Sequence, residues 1–246
     1  MIQIIVPFLS LLVLQPSPTL SQSYMTQMAI PAHEDLEYNI SWERVLRVGT
    51  GKITLKRTKD SYLLEMSAKS ARFFDFFFKV RDQFRSIVPL DFSSFKLYEK
   101  RIREGRYRRH DYVTYDPLHG VVTYRKNGDP MPDLSVSPPV FDPFSILFAY
   151  RFTCPKDSNC TLVATDGKHL DEVEVRLIKR EEITVKAGTF STIKVQPVWR
   201  RMQGVFRKKK GGHIYIWFEE HPPYRPIKME AEIFIGKIVA ELSASS

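Results

Sequence analysis

The chain has 246 residues, 43% of them hydrophobic and 26% charged, a balance that is typical of a globular protein and excludes general disorder. Its formal net charge of +9 and its isoelectric point near 9.5 favour attraction to anionic surfaces, such as phospholipid, lipopolysaccharide, acidic polymers or nucleic acid. The compartment in which the protein folds should narrow that set.

The N-terminal segment 1–23 has the pattern of a secretory signal peptide. Its apolar run, 4–14, is shorter than the stretch of about 20 apolar residues that a transmembrane helix needs. No Lys or Arg precedes the run, so a buried N-terminal strand or helix is the alternative. No Cys lies near the predicted cleavage site, which disfavours a lipid anchor. We expect a soluble periplasmic product with a linker over 24–34 and a single β-rich domain over 35–243.

Beyond the linker the hydrophobic pattern has a period of two, which predicts half-buried strands. The stretch LEYNISW alternates Leu36, Tyr38, Ile40 and Trp42 with polar residues. YLLEMSA and PIKMEAEIFIG follow the same pattern, the latter with Lys228 on the solvent side, and turn formers separate the segments. Further strands are predicted at about 94–103, 106–115, 119–126, 171–179, 182–186, 190–200, 213–219 and 237–242.

Two segments break this pattern and are predicted to be short helices. DPFSILFAYRF opens with Asp142 as the N-cap residue and Pro143 at the first helical position. The second segment, SARFFDFFFKV, is apolar on both faces whether it forms a helix or a strand. Together with the strands, the helices predict a mainly β fold of the α+β kind: an antiparallel curved sheet, open barrel or sandwich with two short helices.

The second segment concentrates five phenylalanines within six positions: Phe73, Phe74, Phe76, Phe77 and Phe78. Full burial of one phenylalanine is worth roughly 1.5–3 kcal/mol, so leaving all five in water would forfeit an amount comparable with the stability of a whole domain, about 5–15 kcal/mol. We expect most of them to be covered. They either pack in the protein core or line an apolar ligand groove or a membrane-facing lip.

Cys154 and Cys160 enclose the polar turn formers of TCPKDSNC. In an oxidising compartment they could form a disulfide, which would stabilise the fold by roughly 2 kcal/mol. Free thiols are the alternative. A metal site would need more ligands than a lone pair of cysteines supplies.

Basic residues concentrate in two segments with the pattern of hairpin tips, EKRIREGRYRRH and WRRMQGVFRKKKGG. Such tips could bind phosphates through bidentate hydrogen bonds, although Lys and Arg are also common on solvated loops and sheet edges. An exported protein rarely meets nucleic acid, so no nucleic-acid partner is expected. The candidate residues for contact with an anionic surface are Arg101, Arg103, Arg106, Arg108, Arg109, Arg200, Arg201, Arg207, Lys208, Lys209 and Lys210.

The search for catalytic motifs gives little. The sequence has no G-x-S-x-G, H-E-x-x-H, G-x-x-x-x-G-K or G-x-G-x-x-G motif. His110 and His119 could face each other across a hairpin, with Asp111 and Asp116 nearby, as a metal or acid–base cluster. Solvated hairpin residues would give the same pattern. We therefore predict no catalytic residue, metal or cofactor.

Several stretches resemble the bacterial envelope family called domain of unknown function 3108. They are LEYNISW with the turn of VGTGKITL, the central DPFSILFAYR, the AGTF turn at 187–190 and the closing IYIWFEEHPPYRPIKMEAEIFIGKIVAEL. The resemblance covers nearly all of the chain beyond about residue 35. It implies a secreted or periplasmic β-rich protein without an established activity, and it supplies no catalytic residues.

These features predict a non-catalytic periplasmic protein of the cell envelope. It would bind or carry a lipid, lipopolysaccharide or lipoprotein acyl chain in an apolar groove, with its basic tips at the anionic head group and in peripheral contact with a membrane. The alternative is a structural or adaptor protein that docks another envelope protein and keeps the phenylalanines in its core. A hydrolase of an envelope polymer, with His110, His119 and Glu220 as candidates, is the third hypothesis. The sequence predicts no oligomeric state.

Overall fold

The computed structural model describes residues 30–199, 213–232 and 236–246. The predicted signal peptide, 1–23, lies outside these residues, as does most of the predicted linker. In the described part, fifteen strands form one antiparallel sheet that is not closed into a barrel, and two short helices accompany it. This confirms the predicted β-rich class with a curved antiparallel sheet.

The strands run as an almost continuous meander, in which neighbours along the chain pair with each other. They are β1 His33–Trp42, β2 Leu46–Arg57, β3 Ser61–Ser70, β4 Arg81–Pro89, β5 Leu97–Glu104, β6 Tyr107–Asp116, β7 Val121–Lys126, β8 Asp129–Pro130, β9 Leu134–Ser135, β10 Cys160–Thr165, β11 Leu170–Val185, β12 Gly188–Val198, β13 Ile214–Glu219, β14 Pro226–Glu232 and β15 Lys237–Ser245. Their order is β10-β11-β12-β13-β14-β15-β1-β2-β3-β4-β5-β6-β7-β8, and β9 pairs with β7. The helices are α1 Arg72–Asp75 and α2 Ser145–Thr153.

The strands form where apolar residues recur at every second position. In β1 the side chains of Leu36 and Tyr38 are buried, and in β3 those of Tyr62 and Leu64 are buried, while the residues between them face outwards or are only half-buried. One face of each strand therefore packs on the core, as the period of two predicts.

Two β-bulges change the predicted pattern. At the end of β1, where Val48 of β2 is an extra residue between the pairs Ile40–Gly49 and Ser41–Arg47, Trp42 is 37% exposed instead of packed with Leu36. A second shift, after Leu177, lets β11 continue as one long strand where the sequence predicts two. The irregularity that suggests a strand end in the sequence is a bulge in the structure.

Lys228 of β14 is a correction to the predicted solvent-facing side of that strand. The residue is buried, and its ammonium group lies 4.2 Å from the ring centroid of Trp217 and 3.2 Å from a carboxylate oxygen of Glu230. An aromatic face and a carboxylate together compensate for the lost hydration of the charge.

Helix α2 forms the centre of the core. Its Phe148 and Phe152 pack in a cluster with residues of β1 to β3, β6 and β7, and its Ile146 and Tyr150 pack in a second cluster with residues of β10 to β13. Because strands far apart in the sheet order contact the same helix, the sheet curves around it. Neither described helix is long and apolar enough to cross a membrane.

Asp142 fixes the start of α2. Its carboxylate oxygen Oδ1 accepts hydrogen bonds from the backbone N–H groups of Phe144 (2.8 Å) and Ser145 (2.9 Å) and from the hydroxyl of Ser86 in β4 (2.9 Å). The side chain is completely buried, and burial raises the pKa of Asp142 to about 6. The helix is therefore tied both to its own first turn and to the sheet.

A buried ion pair connects α2 with β1. The guanidinium of Arg151, which has no solvent exposure, donates two hydrogen bonds to Glu34 at 2.7 and 2.8 Å and a third to the carbonyl oxygen of Pro223 at 3.1 Å. The structure places Glu34, which the sequence analysis assigns to the linker, inside β1. A bidentate pair of this kind fixes one orientation of the helix in the sheet.

Candidate functional site

An apolar groove lies between α2 and the concave face of the sheet. Its volume is about 210 Å³, and it is partly open to solvent. Helix α2 contributes Ile146, Leu147 and Tyr150, and the strands opposite contribute mainly aliphatic residues such as Val195 and Ile216. Within the described part of the chain, no residue that lines the groove carries a charge. The lining is suited to an aliphatic ligand.

The register of the strands shows which end of the sheet the groove reaches. Ile214 of the groove pairs with Ala231, which pairs with Ile238, which in turn pairs with Trp42. Trp42 and Leu46 close the turn between β1 and β2. This end of the groove is therefore level with the β1–β2 turn.

The five phenylalanines lie outside the core and outside the groove. Phe73, Phe76, Phe77 and Phe78 are 72%, 88%, 70% and 54% exposed, and Phe74 is half-buried. They form the connection 71–80 between β3 and β4, of which α1 is the first part. The expectation that they pack in the core is wrong for these four residues, because the connection projects beyond the end of the sheet.

Asp75, which interrupts the phenylalanine run, holds this connection to the sheet. Its carboxylate accepts two hydrogen bonds from the guanidinium of Arg81, at 2.5 and 3.0 Å, and one from the hydroxyl of Ser70 at 2.5 Å. Arg81 and then Ser70 hold the pKa of Asp75 at about 2. The single acidic residue of the run therefore anchors the loop, while the aromatic side chains point to solvent.

The connection also contacts the next hairpin tip, between β5 and β6. The N–H of Gly105 donates to the carbonyl oxygen of Lys79 at 2.8 Å, and the ring of Phe78 lies against Gly105. The backbone at Gly105 has φ of +52°, a conformation that favours glycine, and a Cβ atom there would lie 3.2 Å from that ring, so a larger residue would require a small shift of Phe78.

The predicted basic residues of the β5–β6 hairpin fall into two groups. Arg101 pairs with Glu99 at 2.6 Å, and Arg109 pairs with Asp111 at 2.7 Å. Three others are exposed at the tip and form no ion pair with any described residue: Arg103, Arg106 and Arg108. The candidates that lie outside the described residues are Arg200, Arg201, Arg207, Lys208, Lys209 and Lys210.

Cys154 and Cys160 form a disulfide directly after α2, as predicted. The loop that they close carries Lys156, whose ammonium group lies 4.8 Å from the ring centroid of Tyr150 and 4.7 Å from that of Tyr224. Burial lowers the pKa of Lys156 to about 8. Disulfides of this kind are typical of proteins that fold outside the cytoplasm.

The residues weighed for catalysis lie in separate polar contacts. His110 contacts Glu99 at 2.8 Å, and His119 contacts Asp116 at 2.6 Å. Glu220 accepts from Arg180 at 2.8 Å. The two histidines are not brought together: His110 is the cross-strand partner of Arg101, and His119 lies in the β6–β7 turn. Among the described residues, no group of three metal-binding side chains is present.

A family model for a protein of unknown function, DUF3108, matches residues 37–243. The chain belongs to this family. The match confirms the resemblance that the sequence motifs indicate, and the family description assigns no activity. No protein with a curated description matches the sequence.

Solved structures support the fold of this family member. A beta-barrel-like protein of domain of unknown function DUF1849 from Brucella abortus superimposes with a TM-score of 0.61 at 8% identity, covering 87% of this chain and 97% of that one. A "putative exported protein with YmcC-like fold" from Bacteroides fragilis gives a TM-score of 0.37 at 9% identity, covering 89% and 98% of the two chains. The first likeness shows the fold alone, and the second carries no conclusion.

The sequence analysis predicts an apolar groove for a ligand, but it does not predict where the groove lies or which residues line it. The lining residues belong to α2 and to strands from β2 to β14, and each appears in the sequence as an ordinary core position. One part of the lining can be predicted, because the helical spacing of Ile146, Leu147 and Tyr150 indicates an apolar face on α2. The spacing does not show what that face contacts.

Proposed function

We propose that this DUF3108 member is a non-catalytic protein of the bacterial envelope that holds an acyl chain of an envelope lipid in the groove between α2 and the sheet. The observation that carries the proposal is the uncharged, mainly aliphatic lining of a groove that the described residues leave open in a fold with a well-packed core. Protein interiors are normally close-packed, so an apolar space that is not filled by side chains supports a binding role.

The dimensions of the groove support a slender ligand. Its volume of about 210 Å³ is below the range of roughly 300–1,000 Å³ that holds drug-sized molecules. A space of this size holds part of an aliphatic chain. Since each buried methylene contributes about 0.8 kcal/mol, six of them would contribute about 5 kcal/mol before the cost of ordering the chain.

The location is part of the proposal. The apolar run of 4–14 and the disulfide after α2 support export from the cytoplasm, with cleavage near residue 23. Intact-mass measurement of the protein in a periplasmic extract tests this directly. A mass that starts near residue 24 and contains the disulfide supports it, and a full-length reduced protein in the cytosol contradicts it.

Thermal unfolding in the presence of lipid tests the groove. A ligand that binds only the native state raises its apparent stability, by about 2.7 kcal/mol at a concentration of 100 Kd. Palmitate and lysophosphatidylglycerol, both below their critical micelle concentrations, should raise the unfolding temperature of the wild-type protein, and the variant Leu147→Trp should lose this response because the indole fills the groove.

Leu63→Trp is the matched control, since Leu63 is a half-buried leucine of β3 on the opposite face from Tyr62 and Leu64. It should respond to lipid like the wild-type protein. If neither ligand stabilises the wild-type protein, or if the two variants respond alike, the groove does not bind acyl chains. A stable wild-type protein that instead forms a stoichiometric complex with one envelope protein would favour the adaptor hypothesis.

A further inference from the structure

We propose that three neighbouring hairpin tips form a surface that docks on an anionic phospholipid bilayer, with the exposed phenylalanines entering the interfacial layer and Arg103 and Arg108 lying against lipid phosphates. The tip surface consists of residues 42–46 between β1 and β2, 71–80 between β3 and β4, and 103–108 at the end of the β5–β6 hairpin. The inference goes beyond the proposed function, because it concerns an outer surface and holds even if the groove binds nothing.

Exposed apolar side chains are concentrated on this surface. Eight of the eleven large hydrophobic residues that are exposed in the described part of the chain lie on it, and the other three, Tyr112, Leu118 and Ile178, are scattered elsewhere. A soluble protein rarely leaves a contiguous apolar patch uncovered unless something docks there. The eight residues are Trp42, Val45, Leu46, Phe73, Phe76, Phe77, Phe78 and Tyr107.

Backbone hydrogen bonds join the three tips into one surface. The N–H of Ala71 donates to the carbonyl oxygen of Val48 beside the first tip, and the N–H of Gly105 in the third tip donates to that of Lys79, both at 2.8 Å. The bidentate contact of Asp75 with Arg81 holds the second tip between them. The aromatic residues are therefore presented on a fixed scaffold, which lowers the entropy lost on binding.

The same surface is positively charged. Arg72, Lys79, Arg103, Arg106 and Arg108 are exposed, and none of them forms an ion pair with another residue of the described ranges. Among the carboxylates on or beside the tips, Asp75 pairs with Arg81 and Glu99 with Arg101, while Glu43 and Glu104 offset part of the charge of the five basic residues. The charge of the tips is therefore available to an anionic partner.

Arg103 and Arg108 form the most specific part of the charged surface. They are direct cross-strand partners in the β5–β6 hairpin, and like charges in that position destabilise a hairpin. They also line an open cleft of about 350 Å³ together with Arg101, Arg109 and His110. Nη1 of Arg108 donates to the carbonyl oxygens of Gly105 and Tyr107, both at 2.8 Å, which holds its guanidinium at the tip. A phosphate between the two guanidinium groups would relieve the repulsion and accept hydrogen bonds from Arg103 and from the remaining N–H groups of Arg108.

The combination favours a bilayer over a protein partner. Aromatic side chains next to Lys and Arg are typical of surfaces that bind the interfacial layer of anionic membranes, where rings sit among head groups and acyl chains. The groove adds a second reason, because Ile214 at its end is level with Trp42 of the first tip. Docking through the tips would bring that end of the groove toward the lipid.

A fluorophore at the tip tests the orientation in the full-length protein. The polarity-sensitive NBD group is attached through F77C, and in the matched control through L118C, where the native leucine is 90% exposed in the β6–β7 turn at the other end of the sheet. With vesicles of equal parts phosphatidylglycerol and phosphatidylcholine, we expect a blue shift and a rise in emission for the F77C label only. Unchanged emission from both labels, or an equal change in both, would overturn the proposal.

Vesicle flotation with two double variants separates the apolar and charged contributions. F76S/F77S should weaken binding by at least about tenfold, and R103Q/R108Q by about 25-fold, since one basic side chain near an anionic surface contributes about fivefold. L118S should bind like the wild-type protein. All variants should keep the wild-type unfolding temperature because the replaced side chains are exposed.

Two results of the flotation experiment would overturn the proposal. One is equal binding of the wild-type protein and both double variants. The other is vesicle binding that is absent in all proteins while a purified envelope protein binds the wild-type tips and not F76S/F77S, which would make the surface a protein interface. Charge dependence is checked by phosphatidylcholine vesicles, on which R103Q/R108Q and the wild-type protein should no longer differ.

Discussion

The chain contains two short helical segments rich in phenylalanine, and the fold treats them in opposite ways. Helix α2 places Phe148 and Phe152 in the centre of the core, whereas the α1 segment leaves Phe76 and Phe77 mostly in water. Amino-acid composition does not distinguish the exposed α1 segment from the buried α2 segment. Their positions in the chain do, because α2 follows a long crossing segment that can return into the curve of the sheet, while α1 lies in a ten-residue connection pinned at both ends by β3 and β4.

The comparison shows what an aromatic run does and does not establish. It establishes that a cover is needed, since apolar surface in water is unfavourable. It does not establish that the cover belongs to the same molecule. In α2 the cover is the sheet, and in α1 we propose that it is a membrane.

The largest difference should appear when one phenylalanine of each segment is truncated. Phe148→Ala should lower the free energy of unfolding by about 3–5 kcal/mol, because it leaves a cavity in the core. Phe76→Ala should change it by less than about 0.5 kcal/mol, because the ring is already exposed. Urea unfolding followed by circular dichroism measures both. Equal losses would mean that the α1 segment is part of the core.

The next largest effect should come from the buried ion pair of Arg151 and Glu34, which holds α2 in the core. Arg151→Ala should cost at least about 3 kcal/mol in urea unfolding, since it leaves the carboxylate of Glu34 buried without a partner. Arg176→Ala, which breaks the exposed pair with Glu174, is the control and should cost at most about 1 kcal/mol. Replacement of both partners, Arg151→Met with Glu34→Leu, should recover most of the loss. A cost below 1 kcal/mol for Arg151→Ala would show that the pair does not hold the helix.

Asp142 should make the α2 region sensitive to pH in a defined direction. Because burial raises its pKa to about 6 in the folded protein, from 3.8, the native state binds a proton more tightly than the unfolded state between these two values. This residue's contribution to the free energy of unfolding is therefore greatest at about pH 4 and falls by up to about 3 kcal/mol as the pH rises through 6.

The variant Asp142→Asn removes that titration. The difference in unfolding free energy between the wild-type protein and Asp142→Asn, measured from pH 4 to pH 7, should therefore change in favour of the variant as the pH rises. Other carboxylates affect both proteins equally and cancel. A difference that is independent of pH would mean that Asp142 keeps an ordinary pKa in the folded state.

The smallest effect on stability, and the most local change in structure, should come from breaking the contact of Asp75 with Arg81, which holds the α1 segment to the sheet. Asp75→Asn removes the charge that binds Arg81, so the aromatic connection should open more often while the unfolding temperature stays close to that of the wild-type protein. Chymotrypsin should then cut after the phenylalanines of 73–78 several-fold faster, as mass spectrometry of the fragments would show. Glu65→Gln, which breaks the exposed pair with Arg85 in the sheet, should leave the cleavage rate unchanged.

Much of the sheet could be predicted from the sequence because its signal is local. Alternating residues such as Tyr62 and Leu64 determine both the strand and the buried face, and the capping role of Asp142 depends on the few residues that follow it. The features of the sheet that could not be predicted also have a physical cause. The bulges at Val48 and Ile178 each insert one residue without leaving a strong mark in composition.

The groove and the tip surface could not be predicted, because both are assembled from distant residues. Glu34 and Arg151 meet across 117 positions, and the groove combines Ile53 with Met229. The sequence contains the components of the tip surface, the phenylalanine run and the arginine-rich hairpin. Only the pairing of β4 with β5 shows that they are neighbours.

The close contact of Gly105 with Phe78 links two positions that are 27 residues apart in the printed sequence. A substitution at one of these positions therefore depends on the residue at the other position. Among related proteins, an aromatic residue at the position of Phe78 should be accompanied by glycine at the position of Gly105, and a bulkier residue there should coincide with a trimmed side chain opposite. Covariation of the two positions would identify the family members that have an aromatic residue in the connection between β3 and β4.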